Sequence, residues 1–568
     1  MNRFPNRADS IRKTANLSAS SDHEKVTEAM RRLYRSLILL LICLGPAHAL
    51  DATAEQIRTY SEAILDGSNR TIGGQQIAAT TVLPAFYAAR DFAPVWSDPM
   101  RFNELLDVLK SAETHGLNPD DYYYSTLAGW PDDPVPVRLA ARDVLATEAL
   151  IRYGYHLHFG KIDAASLDPD WNLTRRLQNV EPVKVLEQAV AAPDLEKFLK
   201  NQLEPDVSFY TQLRAALARY RGFAAAGGWP AMPEGPTLRP GDSDPRVPAL
   251  RRRLSVTDPV LAQKSTDTRL YDSDLEAGIK RFQARHGLDA DGIVGERTVA
   301  AMNVPVEARI DQIRANLERT RWVFRDLESR FLVVNIAGFE AYLIEDGKAA
   351  WRSRVQVGIP YRKTPVFKKK MTYLVLGPSW TVPPTILRED IVPKIKQDPG
   401  YLARKDMVLL DRDGKLVDVS DLDMNAVSAD NFPYTVRQEP GPKNALGRIK
   451  FMFPNKHFVY LHDTPSQSLF NRAERTTSSG CIRVEKPLSL AAELLYDQPG
   501  WSEPEIEARI GQASNETVTL TDPIMVFLMY WTSVPGEDGE VNFFNDVYSR
   551  DQAVLDGLQA PFRFSAFR

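Results

Sequence analysis

The spacing of apolar residues changes character along this chain, and the change divides it. Up to about residue 330 the apolar positions recur three and four apart, the period of an amphipathic helix. Phe102 to Glu113 carries Leu105, Leu106, Val108 and Leu109, and Gly116 follows as a stop. Leu139 to Leu157 predicts a longer helix, with Val144, Leu145, Leu150, Ile151 and Tyr155 as its apolar positions. Residues 50–235 therefore read as a helical unit that ends in the linker Gly227-Gly228-Trp229-Pro230 to Pro236. Residues 238–305 predict a compact group of short helices. Val247, Leu250 and Leu254 lie on one, Ile279 and Phe282 on the next, and glycines at 287, 292 and 295 punctuate the turns. A connecting helix follows over 306–330, marked by Ile310, Ile313, Leu317 and Trp322.

From Phe331 the period becomes two, the signature of strands. Strands are predicted at 331–336, 341–344, 351–358 and 372–376, with Asp346-Gly347 as a turn after the second. A proline-rich, charged insertion over about 383–443 interrupts the sheet and reads as a candidate lid. Strand pattern resumes at Ile449 to Phe453 and at Val459 to Pro465. The fold class is therefore multi-domain α+β. The strand-rich unit is placed at 331–510, and 511–568 is expected to be a C-terminal segment packing on the helical unit or on the strand-rich one.

The N-terminus changes the picture. Residues 1–29 are polar; then come the basic Met30-Arg31-Arg32-Leu33-Tyr34-Arg35, an apolar run Leu37–Leu44 and Ala47-His48-Ala49. This predicts a signal peptide over 1–49, cut after Ala49, with Met30 as a possible start. An uncleaved anchor is the alternative. No stable membrane span is expected after cleavage. Net charge is −4, which argues against a nucleic-acid partner.

The chain has two cysteines, Cys43 and Cys481, so export leaves Cys481 alone. A lone cysteine is more often a small buried hydrophobe than a nucleophile, but an unpaired thiol in an oxidising compartment carries an oxidation risk. Its surroundings, Thr477-Ser478-Ser479-Gly480-Cys481-Ile482-Arg483, are small and basic. Arg483 is expected to favour the thiolate. His462 lies 19 residues upstream, enough for a loop that returns it to Cys481 as general base. On one continuous strand His457 would point away from His462 while Tyr460 would share its face. A backbone carbonyl is expected to orient His462, because the side chain of adjacent Asp463 should point away. The backbone N–H groups of Gly480 and Cys481 are the expected oxyanion donors, a role worth about 3–4 kcal/mol. Arg483, Tyr460, Ser479 and Asn444 are candidate substrate contacts. His115, His156 and His158 are possible metal ligands in principle, but no ligand cluster is visible, and neither a metal nor an organic cofactor is expected.

Two resemblances rest on these residues. Residues 238–305, in the order Leu238-Arg239-Pro240-Gly241-Asp242, Asp291-Gly292-Ile293-Val294-Gly295 and Thr298 to Asn303, resemble the three-helix peptidoglycan-binding module. The stretch 331–490 resembles the L,D-transpeptidase catalytic domain, whose motif is a histidine, a gap, then Ser-His-Gly-Cys-x-Arg/Asn. His462, Ser478, Gly480, Cys481 and Arg483 match it, and Ser479 departs where many members have a second histidine. The whole order is similar to the large periplasmic members of that family. The resemblance implies a periplasmic monomer acting on peptidoglycan stem peptides and glycan, with 3→3 crosslinking through a thioester. An L,D-carboxypeptidase, a non-catalytic wall-binding scaffold and a secreted cysteine peptidase acting on proteins are the competing readings.

Overall fold

A computed structural model describes residues 52–172, 181–263, 268–324, 327–422, 428–512 and 514–561. The predicted export segment 1–49 lies outside the described residues.

The helical unit is built on α1 (Pro136–Phe159), whose core includes Val144, Leu145 and Leu150. Its buried polar side chains are satisfied locally. Asp143 accepts from the Val95 and Trp96 backbone, and Glu148 pairs with Arg152. His156 Nδ1 bonds the Tyr122 hydroxyl at 2.8 Å, and His115 Nδ1 bonds that of Tyr210 at 2.8 Å. These two histidines hold tyrosines in the core. The 238–305 unit has its own core of Val247, Leu250, Leu254, Tyr271, Leu275, Ile279, Phe282 and Met302. Within it, buried Gln283 ties down the Asp291–Ile293 turn from both ends of its amide.

Helix α2 (Ser208–Ala225) packs against α3 (Val306–Val323). The second is more than a connector. Glu318 and Arg321 form an ion pair with both side chains 0% exposed. Glu318 also accepts from the Ile162 N–H, and Arg321 donates to the His115 carbonyl and the Tyr210 hydroxyl. From the same helix Asn316 and Gln312 reach Thr532 in the C-terminal region. One helix thus serves the cores on both sides.

The strand-rich unit is built on one nine-stranded sheet. Its first strands are β1 (Arg330–Asn335), β2 (Glu340–Glu345), β3 (Lys348–Gly358) and β4 (Phe367–Leu376). The β2–β3 hairpin turns at Asp346 and Gly347, both at positive φ as a tight turn there demands. The insertion contributes β5 (Trp380–Thr381), β6 (Met407–Leu410), β7 (Leu416–Val417) and β8 (Thr435–Gln438), paired in the order β5-β8-β6-β7. Together with short helices they enclose a core of Val382, Ile391, Ile395, Leu402, Leu409 and Val436. The insertion is a subdomain rather than a loop.

The main sheet resumes with β9 (Ile449–Met452), β10 (Leu461–His462), β11 (Thr476–Ser478), β12 (Ile482–Val484) and β13 (Glu516–Met529). The order is β11-β3-β12-β10-β9-β4-β13-β1-β2, and β2 pairs with β3 to close the sheet on itself. The boundary expected at 510 moves, because β13 lies between β4 and β1 in the middle of the sheet. Its register shifts between Thr519 and Ile524, where Pro523 cannot donate to a ladder. The last helix, Asp551–Gln559, returns to the helical unit, burying Val554 and Leu558 there, and Val541 and Phe543 pack on α2 beside Tyr210 and Tyr220. Among the described residues no helix is long and apolar enough to cross a membrane.

Candidate active site

Strands β10 and β12 run parallel, with Leu461 opposite Ile482 and His462 opposite Arg483. Side chains alternate faces along each strand. Leu461 and Ile482, both 0% exposed, therefore enter the core together. Tyr460, His462, Cys481 and Arg483 share the opposite face. The antiparallel partner β9 extends that face with Lys450, which stands opposite His462 on one side and Val375 on the other. Ile449 and Phe451 alternate inward at 0% exposure.

The loop before Cys481 is fixed from several sides. Ser478 Oγ donates to the Cys481 carbonyl at 2.5 Å and accepts from the Gly480 N–H at 3.1 Å. Thr364 Oγ1 donates to the Gly480 carbonyl at 2.8 Å and accepts from the Gly358 N–H at 2.9 Å. Tyr548 donates its hydroxyl to the Gly358 carbonyl. Gly480 has φ +113, a conformation that a side chain would strain. Its N–H is committed to Ser478, so the expected pair of oxyanion donors reduces to one. The Cys481 N–H meets no acceptor among the described residues.

His462 is 4% exposed, and its Nδ1 lies 2.5 Å from the Asp463 carbonyl. A carbonyl only accepts, so Nδ1 carries the proton and Nε2 keeps its lone pair. The Asp463 carboxylate points elsewhere, to the backbone N–H and the Nε of Arg448. Burial, with the Arg483 charge next, depresses the His462 imidazole to about 3. The Cys481 thiol is half-buried, its Sγ 4.0 Å from the Phe458 carbonyl. Burial raises its pKa above the ordinary thiol value. The opposing hydrogen bonds from Tyr460 and the charges of Lys450 and Arg483 are smaller. The expectation that Arg483 makes a resting thiolate is thus corrected, because desolvation outweighs the nearby cations. The site rests as neutral thiol beside neutral imidazole, an arrangement suited to concerted proton removal.

The other predicted positions divide. Tyr460 lies on the site face, its ring centroid 5.7 Å from that of His462. Arg483 Nη1 donates to Gln356 Oε1 at 3.1 Å, and Thr477 donates to the same oxygen at 2.7 Å, which gives the arginine a loop-holding contact. Ser479 Oγ accepts from Arg362 Nη1 at 2.9 Å. Asn444 is corrected: it is 1% exposed, and its amide holds the Gln438 and Glu439 carbonyls and the Leu446 N–H. It braces the return from the insertion and has no surface to offer a substrate. His457 is not on a continuous strand with His462, since β10 begins at Leu461 and Phe458 has φ +56. It packs on Phe367 and faces Asp170 at 3.7 Å.

Sequence reasoning missed Lys450, Gln356, Thr364 and Arg362. A lysine inside the apolar alternation Ile449-Lys450-Phe451-Met452 was the available signal for the first. The others lie far upstream and reach the site only through strand pairing.

Three family models match the chain. Residues 329–506 match the L,D-transpeptidase catalytic domain, residues 243–302 a peptidoglycan-binding domain, and residues 81–217 a scaffold domain. A curated protein of Haemophilus influenzae, assigned as an L,D-transpeptidase, is 36% identical over 249 residues. That match takes in 44% of this chain and 50% of the relative, so it spans half the relative's length.

Proposed function

We propose that this chain, whose residues 329–506 form an L,D-transpeptidase catalytic domain, joins peptidoglycan stem peptides by 3→3 crosslinks through a thioester on Cys481. The observation that carries this reading is the parallel pairing of β10 with β12, which puts Cys481 and His462 on one face with the His462 Nδ1 proton committed to the Asp463 carbonyl. The peptidoglycan-binding module supports the wall as partner and a place of action outside the cytoplasm. We place the protein in the periplasm, exported by residues 1–49, and working as a monomer.

The chemistry runs in two halves. The Cys481 sulfur adds to the carbonyl carbon of the third residue of a tetrapeptide stem while its proton passes to His462 Nε2. The Cys481 N–H steadies the resulting oxyanion. The carbon–nitrogen bond to the terminal D-alanine breaks, and His462 returns the proton to the leaving nitrogen. An amine of a second stem then adds to the thioester, losing its proton to His462. The carbon–sulfur bond breaks and the sulfur recovers that proton. Water in place of the amine gives the carboxypeptidase outcome. Buried Nδ1–H to Asp463 keeps the imidazole in one tautomer through every transfer.

The purified protein, incubated with a tetrapeptide donor and an amine-bearing acceptor stem, should yield the crosslinked dimer and a protein adduct of one tripeptide acyl group by intact mass. Cys481→Ala should remove both while leaving the fold intact. Crosslinked product from that variant would overturn the assignment; hydrolysed tripeptide alone from the wild type would make the enzyme a carboxypeptidase.

A further inference from the structure

Two cations stand on the site face without an acid. Arg483 bonds only neutral groups, and its Nε is buried without a partner. Lys450 makes no ion pair with any described residue, and a half-buried ammonium without an anion is costly. Its Nζ rests 4.1 Å above the centre of the Tyr460 ring, and the Tyr460 phenol in turn interacts with the Cys481 sulfur. Its charge is felt at both His462 and Cys481. Asp463, the acid next to His462, is turned to Arg448.

We infer that Lys450 binds the terminal carboxylate of the donor stem. The inference rests on the stem-peptide reading above. In a tetrapeptide that carboxylate belongs to the leaving residue, and its carbon is within about 4 Å of the scissile carbonyl carbon. A cation beside the nucleophile is therefore at the right range. A fifth residue would carry the carboxylate roughly 3.8 Å further away, so the same lysine would favour tetrapeptide over pentapeptide donors. The Tyr460 ring beneath Nζ fixes the ammonium without neutralising it.

The test uses the full chain carrying Cys481→Ala, so that binding is read without turnover. Calorimetry compares a tetrapeptide with its C-terminal amide, with Lys450 present and with Lys450→Met. With Lys450 the acid should bind roughly tenfold or more tighter than the amide, the scale of one charge-assisted hydrogen bond. In Lys450→Met that preference should vanish while the melting temperature holds or rises. Equal binding of acid and amide by the Lys450 protein overturns the inference. So does a preference that survives Lys450→Met, which would assign the carboxylate to Arg483, and so does a variant that loses stability and binds both peptides equally more weakly. Failure to bind either peptide overturns the stem-peptide reading and the inference with it.

Discussion

At Cys481 the sign of the electrostatics is decided by burial. Two cations pull the thiol toward ionisation, and desolvation pushes harder the other way. Alkylation of the free enzyme by iodoacetamide should therefore rise with pH only above the range of an ordinary cysteine; a midpoint below that range would mean a resting ion pair. The imidazole gives the matching expectation. His462 must be unprotonated to accept the thiol proton, and its value is depressed to about 3. The acid limb of the acylation rate should fall through about pH 3, and the rate should be level across the ordinary histidine range. A fall near pH 6 to 7 in single-turnover acylation would contradict the geometry. The same depression means that between those values the unfolded chain holds a proton the folded chain lacks, so this group's contribution to stability is lost as pH drops below about 6.5. His462→Ala should lower acylation by about 10²–10⁴-fold, whereas His457→Ala, which loses packing on Phe367 and the contact with Asp170, should change it little. Equal losses in two folded variants would remove His462 as the base. The identities of Cys481 and His462 were legible because motif spacing survives in one dimension. The charge state was not, because it depends on how much protein surrounds the sulfur. Asn444 misled for a related reason: asparagine after Gly-Pro-Lys marks a turn, and the turn consumed every polar atom it has.

The insertion shows what elements add. Its prolines and charges suggested a cover, but a composition reading could not reveal that β5 to β8 carry a separate core. A separate core would let it move as one body, as a cover must. Its tie to the nucleophile loop is Arg362, which donates to Asp390 at 2.6 Å, to Glu389 at 2.7 Å and to Ser479 Oγ at 2.9 Å. The carboxylates face solvent, so water screens the clasp and leaves it weak. A tie of that strength suits a cover that must open. Arg362→Gln should shift the product of a folded enzyme from crosslink toward hydrolysed tripeptide, because water reaches the thioester sooner. Deleting 386–436 with a short flexible closure should shift it further while acylation of Cys481 by a small β-lactam persists. An unchanged product ratio in both variants would reduce the subdomain to a passive attachment. Strand β13 was obscured in the sequence by Thr521-Asp522-Pro523, which reads as a turn and is in fact the irregularity where the strand changes register.

Across the whole molecule the helical unit and the sheet are joined through α3, and the pair Glu318–Arg321 sits where they meet. Both side chains are fully enclosed, and each makes a second bond outward: Glu318 to the Ile162 N–H, Arg321 to His115 and Tyr210. A periodic apolar pattern identified the helix but could not show that its polar residues are the buried ones, since burial here comes from elements over a hundred residues away. Removing one member leaves the other as an uncompensated buried charge, which costs about 3–5 kcal/mol. Arg321→Met should therefore lower the melting temperature markedly and make the helical unit and the catalytic unit separately susceptible to limited proteolysis near 323–330. The double variant Glu318→Gln with Arg321→Met removes both charges, so it should recover part of the loss. Crosslinking should fall with the single variant even though Cys481 and His462 are untouched, because Thr532, Tyr548 and Thr364 carry the support of the nucleophile loop back toward this helix. A single variant that melts like the wild type and crosslinks at full rate would mean that the two units fold and act independently.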